Sequence, residues 1–269
     1  MTHATEILPG IIFYSFLSTK LKEKVGFFGH NTLALQVAGQ LKLETAGQTI
    51  STKPGDMMLI RKNQLGQLTK TPEPGENYQS IVICLQEDML RTMALEEHME
   101  VGRRYSGPSN ILIPANDYLR GYFQSVIPYV RRPEEKLTAA IGMLKVREGV
   151  QLLLHTMPGL QDYLFDFSDP YKIDLEKFML SNFHFNIPVE KFAQLTGRSL
   201  AAFKRDFQKT FGLPPRQWLQ EKRLIEARHL IEKKNKKPSA IYLDLGFESL
   251  SHFSHSFKKK FGKAPSEYD

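Results

Sequence analysis

The chain has 269 residues, 41% hydrophobic and 24% charged, with a formal net charge of +7 and one cysteine. That length fills one large or two ordinary domains, and the composition is that of a soluble globular protein rather than a disordered or fibrous one. The lone Cys84 excludes an intrachain disulfide and a thiolate zinc site, and no apolar run approaches the roughly 20 residues that span a bilayer.

Residues 1–113 read as β-rich. "GIIFYSFL" (10–17) follows Glu6 without a basic cluster, which predicts a buried strand and not a signal peptide. "TLALQVAGQLKLETAGQTIST" (32–52) alternates apolar and polar residues on both sides of Gly39, as half-buried strands joined by tight turns do. "KPGDMMLIRK" (53–62) sets a Pro-Gly turn before another apolar strand, and "QSIVICL" (79–85) is a third. Short strands at this spacing predict a sandwich or a barrel.

From Asn116 the pattern turns helical, in "DYLRGYFQSVIPYV" and "EEKLTAAIGMLKVREGVQLLLH". Pro133 stands where the second helix is expected to begin. Leu137, Ile141, Leu144, Glu148 and Gln151 then share one face, partly apolar and partly polar. This helical segment spans 114–156, and in sequence terms it reads equally well as a flap packed on the strands. Residues 157–170, "MPGLQDYLFDFSDP", have the Pro, Gly and Asp content of a linker.

Charge is uneven along the chain. Residues 1–171 hold 17 Lys and Arg against 18 Asp and Glu, a net of −1; residues 172–269 hold 19 against 11, a net of +8. An excess confined to one end points to a polyanion partner. The bland alternative is a solvated lysine-rich surface, and the run "KKNKK" (233–237) is as well explained by a helix end.

That basic third, 171–269, repeats itself. In "SLAAFKRDFQKTFG", Phe203, Phe207 and Phe211 fall at i, i+4 and i+8 on one helix face, while Ala201, Lys204, Arg205 and Gln208 share another. The short helix "PVEKFAQL" precedes, Gly197 supplies a sharp turn, and Ser199 is a good N-cap. Fifty positions on, "PSAIYLDL" leads through Gly246 to a Ser249 cap, with Phe253, Phe257 and Phe261 inward and Ser251, His252, His255 and Lys258 outward. Between the copies "RQWLQEKRLIEARHLIEKK" predicts a linking helix of about five turns. Helix, glycine turn and helix with a polar outer face is the layout of a helix-turn-helix, here at about 188–211 and 238–261. A plain bundle explains the inward phenylalanines equally well; the polar faces in a +8 segment favour nucleic acid.

The pieces "FAQLTGRSLAAFKRDFQKTFG", "RLIEARHLI" and above all "LGFESLSHFSHSFKKKFGKAPSEY" resemble the DNA-binding domain of the AraC/XylS family of bacterial transcription regulators. The chain departs from that family at Tyr242, where a small residue is usual. The resemblance implies a regulator, more an activator than a repressor, whose second helices enter successive major-groove segments on one face of double-stranded DNA. Carried over by position, the base-facing residues are Ala201, Lys204, Arg205 and Gln208 in the first motif, and Leu250, Ser251, His252, Ser254 and His255 in the second. Arg205 is the residue suited to a bidentate guanine contact.

"GHNTLALQVAGQLKL" and "TISTKPGDMMLIRK" similarly resemble the cupin-like β-barrel that forms the sensing domain of many AraC-type regulators. The expected fold is α+β in two domains: a β-barrel with appended helices, then an all-α domain of two helix-turn-helix motifs. The resemblance further implies a homodimer through 116–156 and RNA polymerase as partner, while the lone cysteine points to a cytoplasmic setting. It leaves the front domain either sensing a small effector or docked by a regulatory protein, as in relatives that control type III secretion. His30 is the only histidine between His3 and His98, so no metal centre is expected, and no cofactor. His252 and His255 have metal-compatible spacing but nothing to complete a site. An enzymatic rival, a repair-type alkyl acceptor at Cys84 or a metal-free cupin enzyme, is disfavoured because Cys84 lies in the apolar run "SIVICL".

Overall fold

Period-two alternation sorts the front of the chain into two antiparallel sheets. The computed structural model describes residues 4–45, 47–99, 101, 103–114, 116–131, 138–168 and 173–268, the side chains of residues 4 and 22–26 apart. It divides into two units, Met1–Ser168 and Asp169–Asp269.

In the first unit the strands are β1 (Ala4–Leu8), β2 (Ile12–Leu17), β3 (Leu21–Phe28), β4 (Asn31–Ala38), β5 (Gln40–Glu44), β6 (Thr49–Thr52), β7 (Met57–Ile60), β8 (Gln64–Thr71), β9 (Tyr78–Leu85) and β10 (Asn110–Ile113). One sheet runs β1-β2-β9-β4-β7-β10 and the other β3-β8-β5-β6. In β7 every residue is buried, which is why "MMLI" is continuously apolar. Met58 and Ile60 join the core between the sheets, with Phe28, Leu41, Leu43, Leu68 and Tyr78. Met57 and Leu59 face the other side, where helices cover the larger sheet.

The expected barrel is corrected here. Among the described residues no strand of one sheet pairs with a strand of the other, and a barrel needs an unbroken ladder around its wall. The two sheets pack face to face instead. The ladder ends at the edge strands β1 and β10 of one sheet and β3 and β6 of the other, while the chain crosses between the sheets from β4 to β5 at Gly39. Its φ is +73°, and a Cβ there would stand 2.7 Å from the Thr71 carbonyl oxygen, so only glycine makes this corner.

The helices are α1 (Glu87–Glu96), α2 (Asp117–Arg131), α3 (Ala139–Thr156) and the single turn α4 (Gln161–Leu164). Leu119, Tyr122, Phe123 and Val126 of α2, and Val146, Val150 and Leu153 of α3, are buried in the core over the larger sheet. One side of these helices is thus a cover for the sheet. The face expected to be shared points elsewhere: Ile141 is half-buried, Leu144 is 67% exposed, and Leu137 and Pro133 lie outside the described residues. The stretch expected as a linker, 157–170, also belongs largely to this unit. Leu160, Tyr163, Leu164 and Phe165 are buried in the same core. Asp166 pairs with Arg61 and accepts from the Tyr105 amide at 3.2 Å. Burial acts to raise the Asp166 pKa, but hydrogen bonds from Ser168 and Tyr105 and the charge of Arg61 outweigh it and hold the carboxyl below its usual value.

The second unit contains α5 (Leu175–Asn182), α6 (Val189–Leu195), α7 (Leu200–Phe211), α8 (Pro215–Lys234), α9 (Pro238–Ile241) and α10 (Leu250–Phe261). The twenty residues of α8 span about 30 Å.

Candidate nucleic-acid interface

Both reading helices start at their serines. Ser199 Oγ accepts from the Ala202 amide at 3.3 Å, and Ser249 Oγ accepts from the His252 amide at 3.2 Å. Each caps one of the first-turn N–H groups that a helix leaves open. Both stripes of phenylalanine then turn inward: Phe203, Phe207, Phe253 and Phe257 are wholly buried. Phe211 and Phe261, the last of each stripe, are half-buried.

The repeat extends past the helices. Phe207 meets Trp218 edge-on at 5.5 Å, and Phe257 meets Tyr268 edge-on at 5.4 Å. Pro215 and Pro265 are buried at matching places. Two motifs therefore share one packing solution. They differ in the first helix: α9 makes a single α-turn, and Tyr242 closes it, half-buried against the second motif's core.

With the rings inside, the opposite faces are open. Ala201, Lys204, Arg205 and Gln208 are exposed, as are Leu250, Ser251, His252 and His255; Ser254 is half-buried. Arg205 is 78% exposed, with only a 3.8 Å approach to Asp206. Gln208 donates from Nε2 to the Gly212 carbonyl at 2.8 Å, a bond it must release before its amide reads a base. Two clefts open beside these faces. Glu190, Lys204, Gln208 and Arg216 line one, and Arg216, Gln220, Gly246, Glu248 and His252 line the other.

Two arginines behind the reading faces hold the motifs in shape, and sequence reasoning missed both. Arg198 Nε binds Asp206 Oδ2 at 3.1 Å and Nη1 donates to the Thr196 and Ile173 carbonyls at 2.8 and 3.0 Å, tying the first turn to α7. Arg223 of α8 donates to the carbonyls of Phe183 and Phe185, both at 2.8 Å, and of Gly246 at 3.2 Å. Burial pushes its pKa down to about 10, so it stays charged at neutral pH. The approach leaves no room at the turn: a Cβ on Gly246, whose φ is +82°, would stand 2.6 Å from the His184 carbonyl oxygen and 2.9 Å from Arg223 Cζ. The sequence signal was a charge in an apolar row, since Leu219, Arg223, Ala227 and Ile231 recur every fourth residue of α8.

Cys84 is buried, and that burial pushes its thiol up to about 11, away from the thiolate an alkyl acceptor needs. Among the described residues no three His, Cys, Asp or Glu side chains gather as a metal site.

Residues 192–269 match the family described as "Helix-turn-helix domain", and residues 31–163 the family described as "ExsA N-terminal regulatory domain". The chain is 27% identical to the thermoregulatory protein LcrF of Yersinia pestis, over 91% of this chain and 90% of that one. It is 26% identical to the virulence regulon transcriptional activator VirF of Yersinia enterocolitica, over 91% and 90%. With the HTH-type transcriptional regulator ExsA of Pseudomonas aeruginosa it shares 25% identity over 85% and 82%. Matched at both ends, with two equivalent helix-turn-helix motifs behind a regulatory domain, the chain belongs to the AraC/XylS family of DNA-binding transcription regulators and is not an enzyme.

Proposed function

We propose that the chain is a transcriptional activator that lays α7 and α10 into successive major-groove segments of double-stranded DNA. One observation supports this above the others: both helices bury a phenylalanine stripe and leave hydrogen-bonding residues open, in a segment of net charge +8. Ala201, Lys204, Arg205 and Gln208 read one segment; Leu250, Ser251, His252, Ser254 and His255 read the other. The first set holds the stronger reader, because Arg205 donates bidentately to guanine whereas the second set has no arginine. Such an activator works in the cytoplasm beside RNA polymerase; no helix of the described residues is long and apolar enough to cross a membrane. Sites selected by the full chain from random DNA provide the test. On them Arg205→Ala should lose about 1–3 kcal/mol of binding and relax one base position, with stability within about half a kcal/mol of the parent. Equal loss on random duplex would reduce Arg205 to a phosphate contact.

For the front unit we favour docking by a regulatory protein over sensing of a small molecule. The cavity between the sheets, lined by Ser15, Gln36, Thr52, Lys70 and Tyr78 among others, has a volume of about 40 Å³. That holds a few waters, whereas small-molecule sites run to about 300–1,000 Å³. A dye-displacement or calorimetric screen of metabolites against the full chain checks the choice; a saturable ligand that protects the front unit would reverse it.

The same unit also supplies the homodimer contact, on the outward face of α3 where Met143 is 53% and Leu144 67% exposed. Dimerisation raises effective concentration at paired sites. Met143→Glu with Leu144→Glu should yield a folded monomer by sedimentation, because each carboxylate would be desolvated at the contact. Binding to one site should survive and cooperative filling of two adjacent sites should vanish. A folded, dimeric double variant moves the contact elsewhere.

A further inference from the structure

The second unit has five arginines, and four of them have acceptors. Arg198 and Arg223 are tied as described, Arg228 binds Glu232 at 2.7 Å, and Arg205 approaches Asp206. The fifth, Arg216, is exposed, and among the described residues no hydrogen bond or ion pair occupies its guanidinium. Its position is particular. Arg216 is the second residue of α8 and lines both clefts, sharing one with Lys204 and Gln208 of α7 and the other with His252 of α10. Val189 of α6 also borders both, but it is apolar, so Arg216 is the charged residue the two clefts share.

Two reading helices in successive major-groove segments on one face of DNA leave a minor groove facing the protein between them. A cation set between those helices therefore meets the sugar-phosphate strands that border that groove. Glu190 and Glu248 line the clefts as well. Glu248 is engaged by Asn186 Nδ2 at 2.9 Å, and neither carboxylate pairs with Arg216. Arginine is well matched to such a strand, because its planar fork binds phosphate through two parallel N–H donors and is always charged.

We infer that Arg216 makes a third DNA contact, to the phosphates flanking the minor groove between the segments read by α7 and α10. The inference rests on the proposed placement of those two helices. A phosphate contact carries no sequence information but fixes register, so Arg216 aligns both helices at once.

The test uses the full chain, a site it selects from random DNA, and an unrelated duplex of equal length. Arg216→Ala should weaken binding to both DNAs by a similar factor. The slope of log affinity against log salt should fall by about 0.9, the share of one phosphate. Between 50 and 200 mM salt the ratio of parent to variant affinity should therefore shrink about 3.5-fold. Arg216→Lys should restore the slope and most of the affinity, and thermal unfolding should not move. An unchanged slope, with Arg205→Ala still relaxing a base position, would overturn this inference and leave the placement of α7 standing. A loss confined to sites with A·T-rich central base pairs would also overturn it, since Arg216 would then be inserted into a narrow minor groove. If neither arginine variant alters binding to the selected site, the placement of the reading helices fails first.

Discussion

Phe257→Ala is expected to destabilise the second unit by about 3–5 kcal/mol, the range for truncating a buried ring. The ring has no exposed surface, and its centroid lies 5.7 Å from Phe253, 4.7 Å from Phe261 and 5.4 Å from Tyr268. It also joins Leu224, Ala227 and Ile231 of α8 with Ile241, Leu245 and Phe247 of the second motif. Removing it leaves a cavity where α8 and α10 meet. Set against a typical domain stability of about 5–15 kcal/mol, the loss takes roughly a fifth or more of the total. Trp218 is the only tryptophan and packs in the first motif, so its fluorescence follows unfolding of this unit in denaturant. The midpoint should fall for Phe257→Ala, fall less for Phe257→Leu, which keeps part of the buried volume, and stay put for Arg205→Ala. Specific DNA affinity should drop with the unfolded fraction and recover on cooling toward the temperature of maximum stability. A midpoint unchanged by Phe257→Ala would show that the two motifs do not unfold together.

How far the sequence reaches is seen by setting this ring beside Arg223. Phe257 was legible because a large apolar residue every fourth position has one physical reading, a buried helix face, and duplication supplied a second instance. The serine caps were legible for a similar reason, since capping depends on groups within three residues. In the front unit alternation gave the strands, but alternation is the same in a barrel wall and a sandwich face. Which one forms depends on whether the edge strands β1 and β10 pair with β3 and β6, and alternation within a strand does not specify its partner. The supposed linker failed likewise. "MPGLQDYLFDF" has turn residues at its start, yet Tyr163, Leu164 and Phe165 are core, and composition averaged the two away. The reading faces were named through family resemblance and through exposure inferred from the opposite stripe; their order along DNA rests on the proposal above.

Arg223 marks the point where local reading stops and geometry takes over, and its replacement has the second largest expected effect. Its three bonds run to the segment between α5 and α6, through Phe183 and Phe185, and to the turn before α10, through Gly246. One side chain on the linking helix thus ties the turn of the second motif and the chain entering the first motif to the same rod. Arg223→Met keeps the stem and its packing but leaves three carbonyls without their donor, and should destabilise the unit by about 2–4 kcal/mol. Arg223→Lys is the sharper instrument. An ammonium retains charge but has no planar fork, so it cannot serve three carbonyls that diverge around a guanidinium. The folded variant should then hold its two reading helices at a looser separation. Parent protein should discriminate strongly between its selected site and the same site with one base pair inserted at the centre. For Arg223→Lys that ratio should shrink several-fold, mainly because affinity for the unaltered site falls. The comparison is made at a denaturant-free temperature where circular dichroism shows both proteins folded. If Arg223→Lys is destabilised yet discriminates spacing as well as the parent does, the clasp serves folding alone, and α8 must set the separation by its own stiffness.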